Sequence, residues 1–224
     1  VRGGTGDILC WHTVGQTVGV HARAIVLAGP SGAGKSRLAE RLGLPVLRLD
    51  DFYKSGEDHT LPRIQGGANA GLIDWDDPAS WHLQAALDAV EALCQAGVAE
   101  VPVYSIPHNA SIGTRTLRLE GHRLFVAEGI FAAEVVPSCR DQDLLAAAFC
   151  VRQHPVLTFW RRLTRDLREH RKPPLVLLRR GTALLRDQRR VVEHAVSRGC
   201  RPVRPDEAFD EVSQMVVGTQ LEPR

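Results

Sequence analysis

Eight consecutive residues, Gly29-Pro30-Ser31-Gly32-Ala33-Gly34-Lys35-Ser36, match the pattern G-x-x-x-x-G-K-[ST] at every fixed position. In such a loop the glycines let the backbone curl, so that successive N–H groups point inward and surround phosphate oxygens. The positive end of the following helix adds to the field. Gly29, Ser31, Gly32, Ala33 and Gly34 would form the cradle, Lys35 would reach the terminal phosphates, and Ser36 would bind Mg²⁺. An ordinary Gly-rich turn ending in Lys-Ser is the alternative, and the flanking sequence argues against it. The apolar run Ala24 to Ala28 precedes the loop, and Lys35 to Leu42 follows as an amphipathic helix with Leu38 and Leu42 one turn apart. Strand, loop and helix are the context a phosphate-binding loop (P-loop) requires.

Carboxylates recur where strands are expected to end. Gly43 and Pro45 mark a turn, and Val46 to Leu49 reads as a second strand running into Asp50-Asp51-Phe52-Tyr53. Ligands of open parallel sheets bind at the C-terminal strand edge, which suits an acid or base at this position. The competing reading is that one or both Asp cap the next turn. The continuous apolar run Leu124 to Ala127 predicts a buried parallel strand and ends in Glu128-Gly129, at the same edge as Asp50. The cluster Asp74-Trp75-Asp76-Asp77-Pro78 supplies helix-start chemistry, with Asp at the N-cap and Pro at the first helical position.

The remaining chain supplies the elements that must position these groups. Residues 55–72 are polar and Gly-rich and predict a mobile substrate-side loop. Leu83, Leu87, Val90 and Cys94 repeat at helical spacing, with Gly97 as a stop. Val101 to Tyr104, Ile112 to Leu119 and Arg123 to Ala127 read as strands, the last two joined near Glu120-Gly121, and Pro102 and Pro107 keep the first off a central sheet position. Leu144 to Val151 suits either a helix end or a strand by pattern, and its Ala-Ala-Ala-Phe-Cys-Val end favours a central strand. From Val156 to Glu169 an apolar stripe of Val156, Phe159, Trp160, Leu163 and Leu167 lies opposite Arg162, Arg165 and Glu169. A basic run, His170-Arg171-Lys172, leads into Pro173-Pro174, and together these predict a cationic lid over a phosphate site. A last helical pattern spans Thr182 to Arg198, with Leu184, Leu185, Val191, Val192, Ala195 and Val196 on the packed side.

Composition narrows the class. At 224 residues the chain is long enough for one α/β core with a small subdomain or lid, and a single domain over 1–224 is expected. Hydrophobic content of 44% and charged content of 24% are ordinary, and no apolar run approaches the length of about 18 residues that a membrane span requires. A net charge of +2 does not argue for nucleic acid, and the basic stretch after residue 160 lacks interleaved aromatics beyond Trp160. The five cysteines are odd in number and widely spaced with no C-x-x-C pair, so reduced thiols are expected, with Cys94 and Cys150 in the core. No basic n-region and apolar h-region open the chain, and a reducing cytoplasm is the expected compartment.

Several motifs in order resemble the uridine kinase branch of the P-loop kinases, related to phosphoribulokinase and bacterial pantothenate kinase. The resemblance spans roughly Ala24 to Arg198. The family's D-S-F-Y resembles Asp50 to Tyr53, its N-F-D-H-P-D-A-F resembles Asp74 to Trp81, and its P-x-Y resembles Pro102-Val103-Tyr104. Its F-E-G-I resembles Ala127 to Ile130, and its lid pattern R-x-x-R-D-x-x-E-R resembles Arg162 to His170. The resemblance implies a three-layer α/β P-loop NTPase fold with a central, mostly parallel sheet, a small β-hairpin on the acceptor side (regions 52–78 and 101–122) and a helical lid at about 162–180. It also implies an enzyme using ATP and Mg²⁺ to phosphorylate a nucleoside 5′-hydroxyl, uridine or cytidine, as in pyrimidine salvage.

By the same resemblance Asp50 is the general base and Asp76 holds ribose hydroxyls, with Tyr53, Tyr104, His108, Asn109 and Arg162 also on the acceptor. Arg165, Arg171 and Lys172 join Lys35 at the phosphates, and Glu128 joins Ser36 at Mg²⁺ directly or through water. Two departures stand out. Asn109 occupies the place of the family's base-reading His, with His108 one residue early, and the family's E-R-G-R becomes Glu169-His170-Arg171-Lys172 without its Gly. The rival readings are a kinase for another small alcohol, pantothenate-like or sugar, and a nucleotide-binding regulatory protein with little catalysis. The implied partner is a small molecule rather than a nucleic acid or a membrane, and a homo-oligomer is compatible with the sequence.

Overall fold

The computed structural model describes residues 22–67, 69–153 and 189–221. The expected lid, with its helix over Val156 to Glu169 and with Arg162, Arg165, His170, Arg171 and Lys172, lies outside the described residues, as do Cys10, Leu184 and Leu185.

Five strands make the main sheet: β1 (Arg23–Ala28), β2 (Val46–Arg48), β5 (Leu124–Glu128), β6 (Leu145–Val151) and β7 (Arg201–Val203). Their order is β2-β5-β1-β6-β7, and every pair is parallel. The central strands are apolar on both faces, so each face must be covered by helices. Along β1, Ala24, Val26 and Ala28 enter one core, while Ile25 and Leu27 enter the other. The first core takes α2 (Leu83–Ala96), α3 (Ala132–Asp141) and α4 (residues 189–197) through Val90, Leu93, Val135, Val136 and Ala195. The second takes α1 (Lys35–Leu42) and α5 (Pro205–Leu221) through Leu38, Ala39, Ala208 and Val212. This is the expected three-layer α/β arrangement with a parallel sheet.

The hairpin stands apart from that sheet. Strands β3 (Val98–Ser105) and β4 (Ala110–Arg118) pair only with each other, antiparallel. The expected strands Ile112 to Leu119 and Arg123 to Ala127 are both present and joined by a turn at Leu119 to His122, but the first lies largely in the hairpin and the second in the main sheet. Pro102 does sit off the central sheet, as its missing N–H requires. The register slips between Pro102 and Tyr104, and such a slip re-aims the side chains beside it.

Other local readings need correction. Asp77 does cap a Pro-initiated turn, accepting a bond from the Ala79 N–H at 2.8 Å, but the turn is a single 3-10 stretch, Pro78–Ser80, and α2 starts anew at Leu83. The buried face of α2 is Ala86, Ala89, Val90, Leu93 and Cys94, whereas Leu83 is 40% exposed. In α4, Val196 is exposed at 44% rather than packed. Elements α3, β7 and α5 had no sequence signal: Pro137 lies inside α3, and Pro202 interrupts the three-residue β7. Pro202 is tolerated because β7 is an edge strand. Pro137 is tolerated because Val135, Val136 and Cys139 are fully buried and tertiary packing outweighs the lost helical bond.

The face of α2 is open to a direct test. Leu93→Ala is expected to lower unfolding free energy in urea by about 2–5 kcal/mol, the usual cost of such a cavity. Leu83→Ala is expected to change it by no more than about 0.5 kcal/mol. Similar losses at the two positions would mean that the helix packs on a different face.

Candidate active site

The site is assembled at the C-terminal edge of β2, β5 and β1. Register places Leu27, Glu128 and Arg48 level across the three strands. Gly29 and Asp50 each lie two residues beyond that level.

Gly29 opens the P-loop at φ 128°, and a Cβ there would lie 2.4 Å from the Val151 carbonyl oxygen at the end of β6. Only glycine satisfies both the backbone and the space. Gly32 and Gly34 also have positive φ, and Gly34 directly precedes the first residue of α1. Lys35 is buried, and its Nζ donates to the carbonyls of Gly29 at 2.8 Å and Pro30 at 3.3 Å. The ammonium is thus held against the loop it would share with phosphate.

Ser36 Oγ donates to Glu128 Oε1 at 3.0 Å. Glu128 is buried at the last position of β5, and burial raises its carboxyl above the ordinary value, with the Lys35 charge opposing the shift and the Asp50 charge adding to it. A hydroxyl and a carboxylate within hydrogen-bonding distance of each other are hard oxygen donors, a fit for Mg²⁺, which takes few protein ligands and completes its octahedron with phosphate oxygens and water. No group of three or more His, Cys, Asp or Glu suited to a metal occurs among the described residues.

Asp50 lies in a 3-10 turn, Leu49–Phe52, directly after β2. It is exposed, and its Oδ1 accepts a hydrogen bond from the Ile130 N–H at 2.8 Å. Asp51 diverges from it. Its carboxylate lies 3.9 Å from Arg115 on the hairpin, and burial raises its pKa against the opposing charges of Arg48 and Arg115. Asp51 also lines a groove of about 600 Å³ with His82, Asp88 and Glu100 between α2 and the hairpin, apart from Asp50 and the P-loop. The two neighbouring carboxylates therefore face different surroundings, although the charge of Asp50 still adds to the upward shift of Asp51.

An aromatic wall adjoins Asp50. Tyr53 packs against Trp75, Tyr104 and Phe131 with ring centroids 5.7–5.8 Å apart, and its hydroxyl donates to the Trp75 carbonyl at 3.1 Å. Burial, followed by the charges of Asp50 and Asp76, pushes the Tyr53 pKa far up, so the hydroxyl stays protonated. The charges of Asp50 and Asp76 thus bear on one ring. Tyr104 donates to the Lys54 carbonyl at 3.4 Å, tying the hairpin to the acceptor loop.

At the hairpin tip, His108 Nδ1 pairs with Ser105 Oγ at 2.7 Å. Asn109 turns the chain at φ 48°, and its carbonyl accepts the Gly56 N–H at 2.6 Å. Left-handed backbone favours Asn among non-glycine residues, which gives this position a structural duty as well.

Groups that sequence reading left without a role also organise the site. Trp81 is buried and donates from Nε1 to the Leu49 carbonyl at 2.7 Å, fixing the residue before Asp50. The Ile130 N–H and Gly129 fix Asp50 from the other side. A backbone donor leaves no sequence signal, although the Glu128-Gly129 pair beyond a buried strand was a legible one.

No family model matches the chain. Over 111 residues, 47% of its length, it is 31% identical to the inorganic pyrophosphatase TTM1 of Arabidopsis thaliana. Over 150 residues, 64% of its length, it is 27% identical to a uridine kinase of Saccharomyces cerevisiae. These matches span only 15% and 28% of the relatives' own lengths. A crystal structure of a candidate fructose transport system kinase from Silicibacter sp. TM1040 superposes with a TM-score of 0.57 at 17% identity, covering 83% of this chain and 88% of that one, which shows a shared fold. With its P-loop on the parallel sheet of a three-layer arrangement, the chain has a P-loop NTPase-like fold, and part of it is similar in sequence to a uridine kinase. No helix among the described residues is long and apolar enough to cross a membrane.

The buried Glu128 carries a pH signature. With its carboxyl raised above the ordinary 4.5, the folded state keeps that proton to higher pH than the unfolded chain does. The folded state binds more protons between the two values, so stability is lost as pH rises through that window. Glu128→Gln remains neutral and can still accept the Ser36 hydroxyl. Without Mg²⁺ present, its Tm advantage over wild type is expected to grow between about pH 4 and about pH 7. A difference that does not change with pH would overturn this.

Proposed function

We propose that the protein transfers the γ-phosphoryl group of ATP to the hydroxyl of a small molecule, with a nucleoside 5′-hydroxyl, uridine or cytidine, as the acceptor the residues suit best. The observation that carries this reading is the presence of two differently held carboxylates at one sheet edge. Glu128 is buried against the P-loop serine, and Asp50 is exposed toward an aromatic wall. A protein that only bound nucleotide would have no use for the second.

The P-loop N–H groups and Lys35 would hold the donor phosphates, and Ser36 with Glu128 would hold Mg²⁺, which when bound would neutralise charge on the donor phosphates. Asp50 takes the proton of the acceptor hydroxyl as its oxygen bonds to the γ-phosphorus and the bond to the ADP oxygen breaks. Asp76, exposed and with its charge felt at the Tyr53 ring, suits a pair of ribose hydroxyls as a two-oxygen acceptor. Tyr53, Trp75 and Tyr104 form an aromatic cluster with rings inclined at 45–74° to one another, suited to edge and face contacts with a planar base, and His108 and Asn109 at the hairpin tip are candidates to read it. Arg162 at the sugar, with Arg165, Arg171 and Lys172 at the phosphates, would complete the charge on closure of a lid. The yeast relative's activity toward uridine, carried by its name, supports the same acceptor class.

The decisive experiment is an ADP-release assay with Mg·ATP against uridine, cytidine, pantothenate, fructose and ribulose 5-phosphate, with pyrophosphate hydrolysis measured in parallel. Pyrimidine nucleosides are expected to turn over. Asp50→Asn is expected to lose about 10²–10⁴-fold in kcat, the usual share of a general base, while retaining ATP affinity. Turnover confined to pantothenate or a sugar would replace the acceptor class. No turnover of any alcohol, or an undiminished Asp50→Asn enzyme, would reject the assignment, and pyrophosphate cleavage alone would make water the acceptor.

A further inference from the structure

The three residues Glu128-Gly129-Ile130 touch both halves of the proposed reaction. Glu128 Oε1 receives the P-loop Ser36 hydroxyl, and two residues later the Ile130 N–H donates to Asp50 Oδ1. Gly129, between them, is buried. It is not among the glycines with positive φ, so its backbone conformation is one that any L-residue adopts. What excludes a side chain there is its neighbour. A Cβ on Gly129 would lie 2.7 Å from Asp50 Oδ1, 3.0 Å from the Leu49 Cβ and 3.2 Å from the Asp50 backbone nitrogen.

The Leu49-Asp50 segment has little freedom to retreat. Leu49 is fully buried, and its carbonyl is pinned by the Trp81 indole N–H at 2.7 Å. The group with room to move is the Asp50 carboxylate itself, which is exposed. An added methyl group would therefore push it off the Ile130 N–H and out of its seat.

We propose that Gly129 and the Ile130 N–H are positioning elements that seat the Asp50 carboxylate at a fixed offset from Glu128, so that the group accepting the alcohol proton stays in register with the P-loop that presents the phosphoryl group. This rests on the role of Asp50 in the function proposed above. Gly129 touches no reactant in this arrangement and acts through Asp50. A displacement of about 1 Å in a reacting group costs on the order of 10²-fold in rate.

The test compares Gly129→Ala, Ile130→Pro, Asp50→Asn and the Gly129→Ala/Asp50→Asn double variant, using the full chain with its best alcohol acceptor. It measures kcat and KM by radiolabelled phosphoryl transfer, the dissociation constant of Mg·ATP by equilibrium dialysis, and the thermal midpoint. Gly129→Ala is expected to lower kcat by about 10²-fold, with the ATP dissociation constant within about twofold of wild type. In the Asp50→Asn background the same substitution should cost less than about twofold, because the group it displaces no longer accepts a proton. Ile130→Pro removes the donor without adding bulk at residue 129 and should reproduce the kcat loss, which keeps the test in force if Gly129→Ala fails to fold. Unchanged kcat in Gly129→Ala, a loss that multiplies fully with that of Asp50→Asn, or an ATP affinity that falls in step with kcat would overturn the proposal. An undiminished Asp50→Asn enzyme would instead remove the base role on which it rests, and that result is read from the single variant alone.

Discussion

The double pairing of β5 is the constraint on which the rest of the molecule depends. Its backbone is hydrogen-bonded in parallel to β1 on one side and to β2 on the other. Parallel pairing aligns strand ends of the same polarity, and neighbouring strands lie about 4.8 Å apart. Three turns therefore leave one edge side by side, the Glu128-Gly129 turn from β5 in the middle, with the phosphate loop from β1 and the Asp50 turn from β2 each about one strand spacing (roughly 5 Å) away. A one-residue slip of β5 would turn Glu128 to the opposite face of the sheet and separate it from Ser36. Burial of Leu124 to Ala127 on both faces makes that slip costly.

The same edge shows how burial sorts chemically identical groups. Glu128 is enclosed by the loop and the sheet, and its carboxyl is pushed up despite the Lys35 charge nearby. Asp51 is half-buried under the hairpin and pushed up despite Arg48 and Arg115. Asp50, adjacent to Asp51 in sequence, is turned outward and held by a backbone donor. A 3-10 turn sends successive side chains roughly 120° apart, so two neighbouring carboxylates meet different surroundings. The hairpin contributes to this sorting. Arg115 reaches Asp51, and the slip in register beside Tyr104 accompanies its ring's contact with Tyr53.

Much of the architecture was legible because it rests on local rules. The P-loop could be read because its glycines answer to backbone conformation and its Lys and Ser to phosphate chemistry. The strands β1, β5 and β6 could be read because a strand covered on both faces is a continuous apolar run. Asp77 could be read as a cap, since capping is decided within a few residues. Legibility failed where distant contacts overrule local preference. Pro137 argues against a helix that packing of Val135, Val136 and Cys139 nevertheless forms, and Pro202 argues against a strand that the sheet edge tolerates. The stripe read on α2 included Leu83, whose exposure depends on where the hairpin and the preceding turn lie rather than on helical period.

The sequence by itself determined the P-loop, the central strands β1, β5 and β6, the helices α1 and α2 and the inventory of reactive groups: a phosphate loop, carboxylates at strand ends and aromatic residues. These follow from periodicity, turn chemistry and residue type, each of which acts over a few neighbouring positions. Only the tertiary structure decided which groups meet. It separated Asp50 from Asp51, joined Ser36 to Glu128 across 92 positions of chain, and put the Ile130 N–H on Asp50 across 80. It also showed that a Cβ on Gly129 would meet Asp50 Oδ1 at 2.7 Å and Leu49 Cβ at 3.0 Å, a constraint set by another segment rather than by a positive φ of its own. Such contacts are set by strand order and register, which depend on how the whole core closes.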